Sequence, residues 1–220
     1  MTKHPITGCR GSGVWRFGIE ADMQRSVIHI KVSDFPIAVE RVLTPGLNGR
    51  PVAVGLEAAQ RSLAVCVSAE ARQQGIYRGM PLEQARRQCR DLIILPPNEE
   101  LYQRATTALW EVLQPFTPVI EPLRYGHAYL DMTGSGRLAG TGVDAAARLQ
   151  REVRERLRLQ AAAGVAVNKM VSKVASEVVT RREKSGLCDV PGGTEARFLA
   201  PLVVSYLPEI GKKTRQELLD

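Results

Sequence analysis

Apolar and polar positions along the 220-residue chain form short β-branched runs that alternate with stretches of helical period. Val27-Ile28-His29-Ile30-Lys31-Val32 predicts a strand. Ser33-Asp34 ahead of Phe35-Pro36 predicts a helix start with proline in the first turn. Pro51–Val54 and Ala64–Val67 predict two further strands in a hairpin-like pair, and two short helices follow, from Ala69 to Gln74 and from Pro81 to Cys89. Leu92–Leu95 predicts a buried strand, and Asn98 predicts the cap of a helix over about 99–113, which Pro115 and Pro118 end. Ala128–Asp131 predicts a strand. Asp144 predicts the cap of an amphipathic helix with the apolar stripe Ala145, Leu149, Val153 and Leu157. Ala161–Val167 predicts a strand, Asn168 the cap of the next helix, and Pro191-Gly192-Gly193 a break before a last helical segment. Residues 1–26, polar and aperiodic, are expected to be an extension. Strands and helices alternate without the regular hairpins of a sandwich, so the predicted class is α+β, without an internal repeat.

Composition narrows the picture. A hydrophobic fraction of 44% with 24% charged residues fits a globular chain rather than a disordered or collagen-like one. No run approaches the ~18 apolar residues of a membrane span, and the N-terminus lacks the apolar run of a signal peptide, so a cytoplasmic location is expected. Cys9, Cys66, Cys89 and Cys188 lack C-x-x-C spacing, which argues against a zinc site or a disulfide framework. The net charge of +7 raises the prospect of an anionic partner, nucleic acid first.

Position refines that charge. Residues 72–90 hold Arg72, Arg78, Arg86, Arg87 and Arg90 against the single acid Glu83. On the helix after Asp144, Arg148, Arg151, Arg154 and Arg158 form a stripe opposite the apolar one. It reads either as an anion-binding face or as a solvated face with Glu152 and Glu155 as local partners. Lys212, Lys213 and Arg215 follow Gly211 near the end. Aromatic residues are only 5% of the chain, which does not support a base-stacking platform for single strands.

Taken in order, several segments resemble a Y-family (translesion) DNA polymerase of the DinB/UmuC type, over residues 27–220. Leu47-Asn48-Gly49-Arg50-Pro51-Val52-Ala53-Val54-Gly55 is similar to "L-x-G-x-P-V-A-V-G". Glu70-Ala71-Arg72, Gly75 and Gly79-Met80-Pro81-Leu82 resemble the fingers motif, and Ala128-Tyr129-Leu130-Asp131 the end of "S-I-D-E-A-Y-L-D". Gly164–Lys169 and Lys173–Ser176 resemble "G-V-A-x-N-K-x-x-A-K-x-A-S", and Leu207–Thr214 the thumb's helix-hairpin-helix. The resemblance implies a right hand with a ferredoxin-like palm sheet (27–34 and 102–190), small fingers (35–101) and a partial helical thumb (191–220). It also implies that the chain stops before a little-finger domain.

Nucleotidyl transfer in this family needs two Mg²⁺ ions, which need carboxylate oxygens. By the resemblance those positions hold Lys31, Gly126 and His127, so no catalytic residue, no metal and no cofactor is expected. Mg²⁺ enters only if atypical ligands serve. Asp34 reads as a cap or turn former, and Asp131 lies roughly 13 Å along the strand from His127, too far to share an ion. The steric-gate position is Pro36. Among triphosphate contacts, the Thr and Tyr positions are Cys66 and Ala69, and the Lys position is Thr180, next to Arg181 and Arg182. Arg72 remains, to grip a phosphate or to pair with a palm acid; it and Arg181 are the nucleotide-phosphate remnant.

Arg86, Arg87, Gly211, Lys212 and Lys213 are the expected DNA contacts, although Glu209 replaces a hairpin glycine with a negative charge. The expected function is an ImuB-like, DNA-binding pseudoenzyme of translesion synthesis, DNA repair and the SOS response. Its expected partners are a primer-template or damaged duplex and replication or repair proteins such as a sliding clamp or a partner polymerase, and no membrane. An active polymerase and a protein-binding scaffold without DNA function are the alternatives.

Overall fold

The computed structural model of the chain describes residues 25–56, 62–123, 125–135, 140–182 and 185–208. All but the last two residues of the expected N-terminal extension, and Glu209, Gly211, Lys212, Lys213 and Arg215 of the expected thumb hairpin, lie outside them. Among the described residues no helix is long and apolar enough to cross a membrane.

Strand β1 (Val27–Val32) lies at the centre of a five-stranded sheet ordered β5-β6-β1-β7-β8, with β5 at Ile120–Pro122, β6 at His127–Asp131, β7 at Ala161–Ala166 and β8 at Gly186–Asp189. Helix α4 (Glu99–Leu113) precedes the β5–β6 pair, and α5 (Gly142–Leu157) links β6 to β7. β1 runs antiparallel to both neighbours, β5 antiparallel to β6, and β8 parallel to β7. Without β8 this is the split βαβ order of a ferredoxin-like sheet.

The alternation of β1 decides what each face carries. Ile28, Ile30 and Val32 join Leu109, Val112 and Leu113 of α4 and Ala145, Leu149 and Val153 of α5 in one buried cluster. His29 and Lys31 point the other way, toward helix α6 (Lys169–Arg182). Alanines and a glycine in β7 let α6 lie close to the sheet: a Cβ on Gly164 would stand 2.0 Å from the Ser172 carbonyl oxygen.

A second sheet, ordered β3-β2-β4, is made of β2 (Val52–Val54), β3 (Cys66–Val67) and β4 (Ile93–Leu95). β2 pairs antiparallel with β3, as the hairpin-like reading expects, and parallel with β4. Ala53 packs with Val67, Ala71, Met80, Leu82 and Ala85, around α2 (Ala69–Gln73) and α3 (Leu82–Gln88). Val52 and Val54 pack instead on Ile37 and Leu47. Helix α1 (Phe35–Leu43) is therefore shared, giving Ile37 to this small unit and Phe35 and Val39 to the main core.

Two readings change, and two strands, β5 and β8, are additional. Thr141, not Asp144, is the N-cap of α5; Asp144 is the third helical residue and closes a capping box with it. β4 is half-buried at a sheet edge rather than a buried strand. Strands β5 and β8 carry no hydrophobic period: β5 has two exposed residues of three, and β8 is nowhere fully buried. The segment after Pro191 is the short helix α7 (Glu195–Leu199), followed by a 3-10 turn at Val204–Tyr206.

Candidate functional site

Lys31 and His127 are register partners across β1 and β6, on the face turned toward α6. The Lys31 ammonium, with 16% side-chain exposure, is ion-paired to Glu177 of α6. The other Glu177 oxygen accepts from Arg181 Nε at 3.1 Å, one helical turn on. Arg181 in turn donates to the Ser205 carbonyl at 2.9 Å and to its hydroxyl at 3.2 Å, and stacks 4.0 Å over the Tyr206 ring. Burial alone would raise the Glu177 carboxyl, but Lys31 and Arg181 hold it below its ordinary value.

Beside this row lies a pair of neutral histidines. His29 Nδ1 is 2.6 Å from the Ser176 hydroxyl, and its ring sits 5.7 Å from His127 and 4.8 Å from Tyr129. Burial, then the charges of His127, Lys173 and Lys31, push His29 down to about 2. Burial, then Lys31, bring His127 down to about 4, against the opposing pull of Glu177.

Gly126 occupies the turn into β6 at φ +76°, and its carbonyl accepts from Val32 N–H at 2.8 Å. A Cβ there would fall 2.5 Å from Phe35 Cδ2, and Phe35 is itself stacked on Tyr125. The packing that seats Phe35 thus leaves no room for a side chain at this position.

At Lys31 the face opens into a cleft of about 1030 Å³ walled by α1, α2, α6 and residues 158–160. Lys31, Arg41, Arg72, Arg158 and Arg181 line it, with Asp34 and Glu177 as its acids. Most of these charges are already committed. Asp34, whose backbone is left-handed at φ 50°, uses both carboxylate oxygens on Arg72, at 2.9 and 2.7 Å, rather than capping α1 with its side chain. Arg72 also donates to the Val67 carbonyl at 2.6 Å. Of the two readings of Arg72, pairing with an acid is the one its geometry shows. Arg41 reaches Glu70 at 2.8 Å and the carbonyls of Leu47 and Arg50; its guanidinium, against the penalty of burial, holds Glu70 at about 2.

The structure thus brings Lys31, Arg72 and Arg181 to one cleft, with His127 on the strand beside Lys31 and Gly126 in the turn that leads into it. Pro36 sits half-buried in the first turn of α1 and does not line the cleft. Arg86 and Arg87 lie exposed on α3, outside it. Sequence reasoning missed Glu177 and the Arg41–Glu70 pair. The first has a signal, because Lys173, Glu177 and Arg181 recur every fourth residue on one helical row.

Two Mg²⁺ ions do not fit this donor set. An ammonium, a glycine and an imidazole stand at the three positions that the resemblance implies for metal ligands, the Glu177 and Asp34 carboxylates are held by cations, and Mg²⁺ requires oxygen ligands. Among the described residues no group of three or more His, Cys, Asp or Glu side chains could hold a metal ion.

The impB/mucB/samB family matches residues 30–177. DNA polymerase IV of Dehalococcoides mccartyi is 38% identical over 194 residues, covering 88% of this chain and 49% of that protein. DNA polymerase IV of Ralstonia nicotianae is also 38% identical over 194 residues, covering 88% of this chain and 54% of its own. The chain spans about half the length of these curated relatives. In the crystal structure of DinB from Sulfolobus solfataricus the TM-score is 0.79 at 25% identity, over 88% of this chain and 56% of that one. An insertion ternary complex of Dbh DNA polymerase gives 0.78 at 25% identity, over 88% and 57%. Motif order, split βαβ sheet and these likenesses agree: the chain belongs to the impB/mucB/samB family of DinB/UmuC-like, Y-family DNA polymerase homologues.

Proposed function

We propose that this chain is a DNA-binding Y-family homologue that does not transfer nucleotides and serves DNA-damage tolerance as an adaptor. It holds a primer-template or damaged duplex and engages replication or repair proteins such as a sliding clamp or partner polymerase. The observation that carries this reading is the Lys31–Glu177 ion pair at the first-strand metal position, with Gly126 closed by Phe35 and His127 neutral beside it. Phosphoryl transfer of this kind depends on metal-bound oxygens at both the attacking and the leaving atom. A cation in that place repels Mg²⁺ and takes up the Glu177 carboxylate. The likeness of the fold to a polymerase captured in an insertion ternary complex supports DNA as its partner.

Primer extension on a primed template with Mg²⁺ or Mn²⁺ tests the reading. The expected outcome is no incorporation above background, together with duplex binding that weakens steeply as salt rises. Templated incorporation that disappears in Lys31→Ala would establish an active polymerase with atypical ligands, as would dNTP binding that requires the metal. Duplex binding absent at every salt would leave only a protein scaffold.

A further inference from the structure

Helix α5 covers the face of the sheet opposite Lys31 and His127, with Ala145, Ala146, Leu149 and Val153 buried in the core. Its outer face presents Ala147, Arg148, Arg151, Arg154, Glu155 and Arg158, all exposed. The stripe from Arg148 to Arg158 is about 15 Å long at 1.5 Å per residue. Arg41, Arg72 and Arg181 are tied to acids. Arg151, Arg154 and Arg158, by contrast, form no ion pair among the described residues, and neither Glu152 nor Glu155 lies within pairing distance of them. At one end Arg158, left-handed at φ 57°, turns the chain into the rim of the cleft.

From this we infer that the outer face of α5 is a second nucleic-acid surface, a track of arginines along which a phosphodiester strand continues from the cleft rim over the back of the palm. Composition favours nucleic acid over an acidic protein. None of the large exposed apolar side chains lies on α5, so the face has no apolar centre for a protein interface, whereas phosphates need only the cations. α5 itself carries no aromatic, and the nearby Phe116 ring packs under Arg148, 6.0 Å from its guanidinium, so contact is with backbone phosphate and carries no sequence preference. Apart from Arg158, which the cleft shares, the surface lies outside the cleft, and only the continuation of the strand from the rim rests on the proposed function.

Fluorescence anisotropy of a short labelled duplex, titrated with the full chain across a salt series, tests it. Arg151→Gln/Arg154→Gln keeps good helix formers at exposed positions, and circular dichroism checks the fold. The expected result is about tenfold weaker binding at low salt and a log–log salt slope shallower by about 2. An unchanged slope and affinity overturn the inference. If Arg86→Gln/Arg87→Gln weakens binding and Arg151→Gln/Arg154→Gln does not, only the α5 track falls. If the reverse holds, the track stands and the DNA contacts expected at Arg86 and Arg87 fall. Polyglutamate of matched charge binding the parent as tightly as the duplex, and losing affinity in the same variant, would mark an acidic-protein surface and overturn the nucleic-acid assignment.

Discussion

Lys31 is held between two environments that make opposite demands on it. Its alkyl chain lies on a largely buried strand, and its ammonium must find an anion, which Glu177 supplies. Removing one partner leaves a partly buried charge without its mate, so Lys31→Ala is expected to destabilise the fold by about 1–3 kcal/mol. The double change Lys31→Met/Glu177→Leu should recover most of that loss; urea midpoints of the three variants check it. At Gly126 the cost is steric. An aspartate there meets Phe35 and a left-handed backbone together, and Gly126→Asp is expected to lose about 2–4 kcal/mol, read as a lowered melting temperature. That Lys31 and His127 lie on strands, with Gly126 just before one, was legible from motif spacing. Glu177 and Asp34 were not, because spacing along the chain says nothing about which cation a carboxylate meets across a cleft.

The pairing of β1 with β6 places two imidazoles in contact, and their titration belongs to the pair of strands. Folding holds both neutral, with His127 near 4 and His29 near 2 against an ordinary 6.5. The unfolded chain therefore takes up protons first. Their contribution is complete above about pH 6.5 and declines as pH falls toward the folded values, at on the order of 1 kcal/mol per pH unit for each histidine. Glu70 acts lower, between 4.5 and about 2, so the interval from 6.5 to 4.5 isolates the histidines. Chemical denaturation across that interval should show stability falling with pH, and His127→Gln should flatten the slope by about half. Elements with a strong period, α4 and β1, were readable from sequence. β5 and β8 were not, because they owe their conformation to the neighbouring strand rather than to an apolar face of their own. The cap of α5 slipped by three residues because both members of a capping box are cap-forming types, and only the reciprocal bonds tell them apart.

Across the whole molecule, the small sheet and the palm are joined by charge as well as by α1. The pairs Asp34–Arg72 and Arg41–Glu70 run from the α1 region to α2. Arg72→Ala is expected to raise amide hydrogen exchange in α2 several-fold while leaving that of β1 and β7 unchanged, a pattern that mass spectrometry of peptides resolves. The α+β class and the order of the elements could be read from the pattern of runs and breaks, but this stitching could not, since it depends on side chains brought together only by the completed fold.

The row from Lys31 through Glu177 and Arg181 to Ser205 and Tyr206 also constrains where the sequence can go next. An acid introduced at position 31 would face Glu177 carboxylate to carboxylate, with the Arg181 guanidinium left to offset two negative charges while it also holds Ser205. An acid at 126 would first have to displace Phe35. Each single carboxylate substitution at these positions is thus expected to cost stability on its own, and acids at 31 and 126 become acceptable to the fold only together with changes at Glu177 and Phe35.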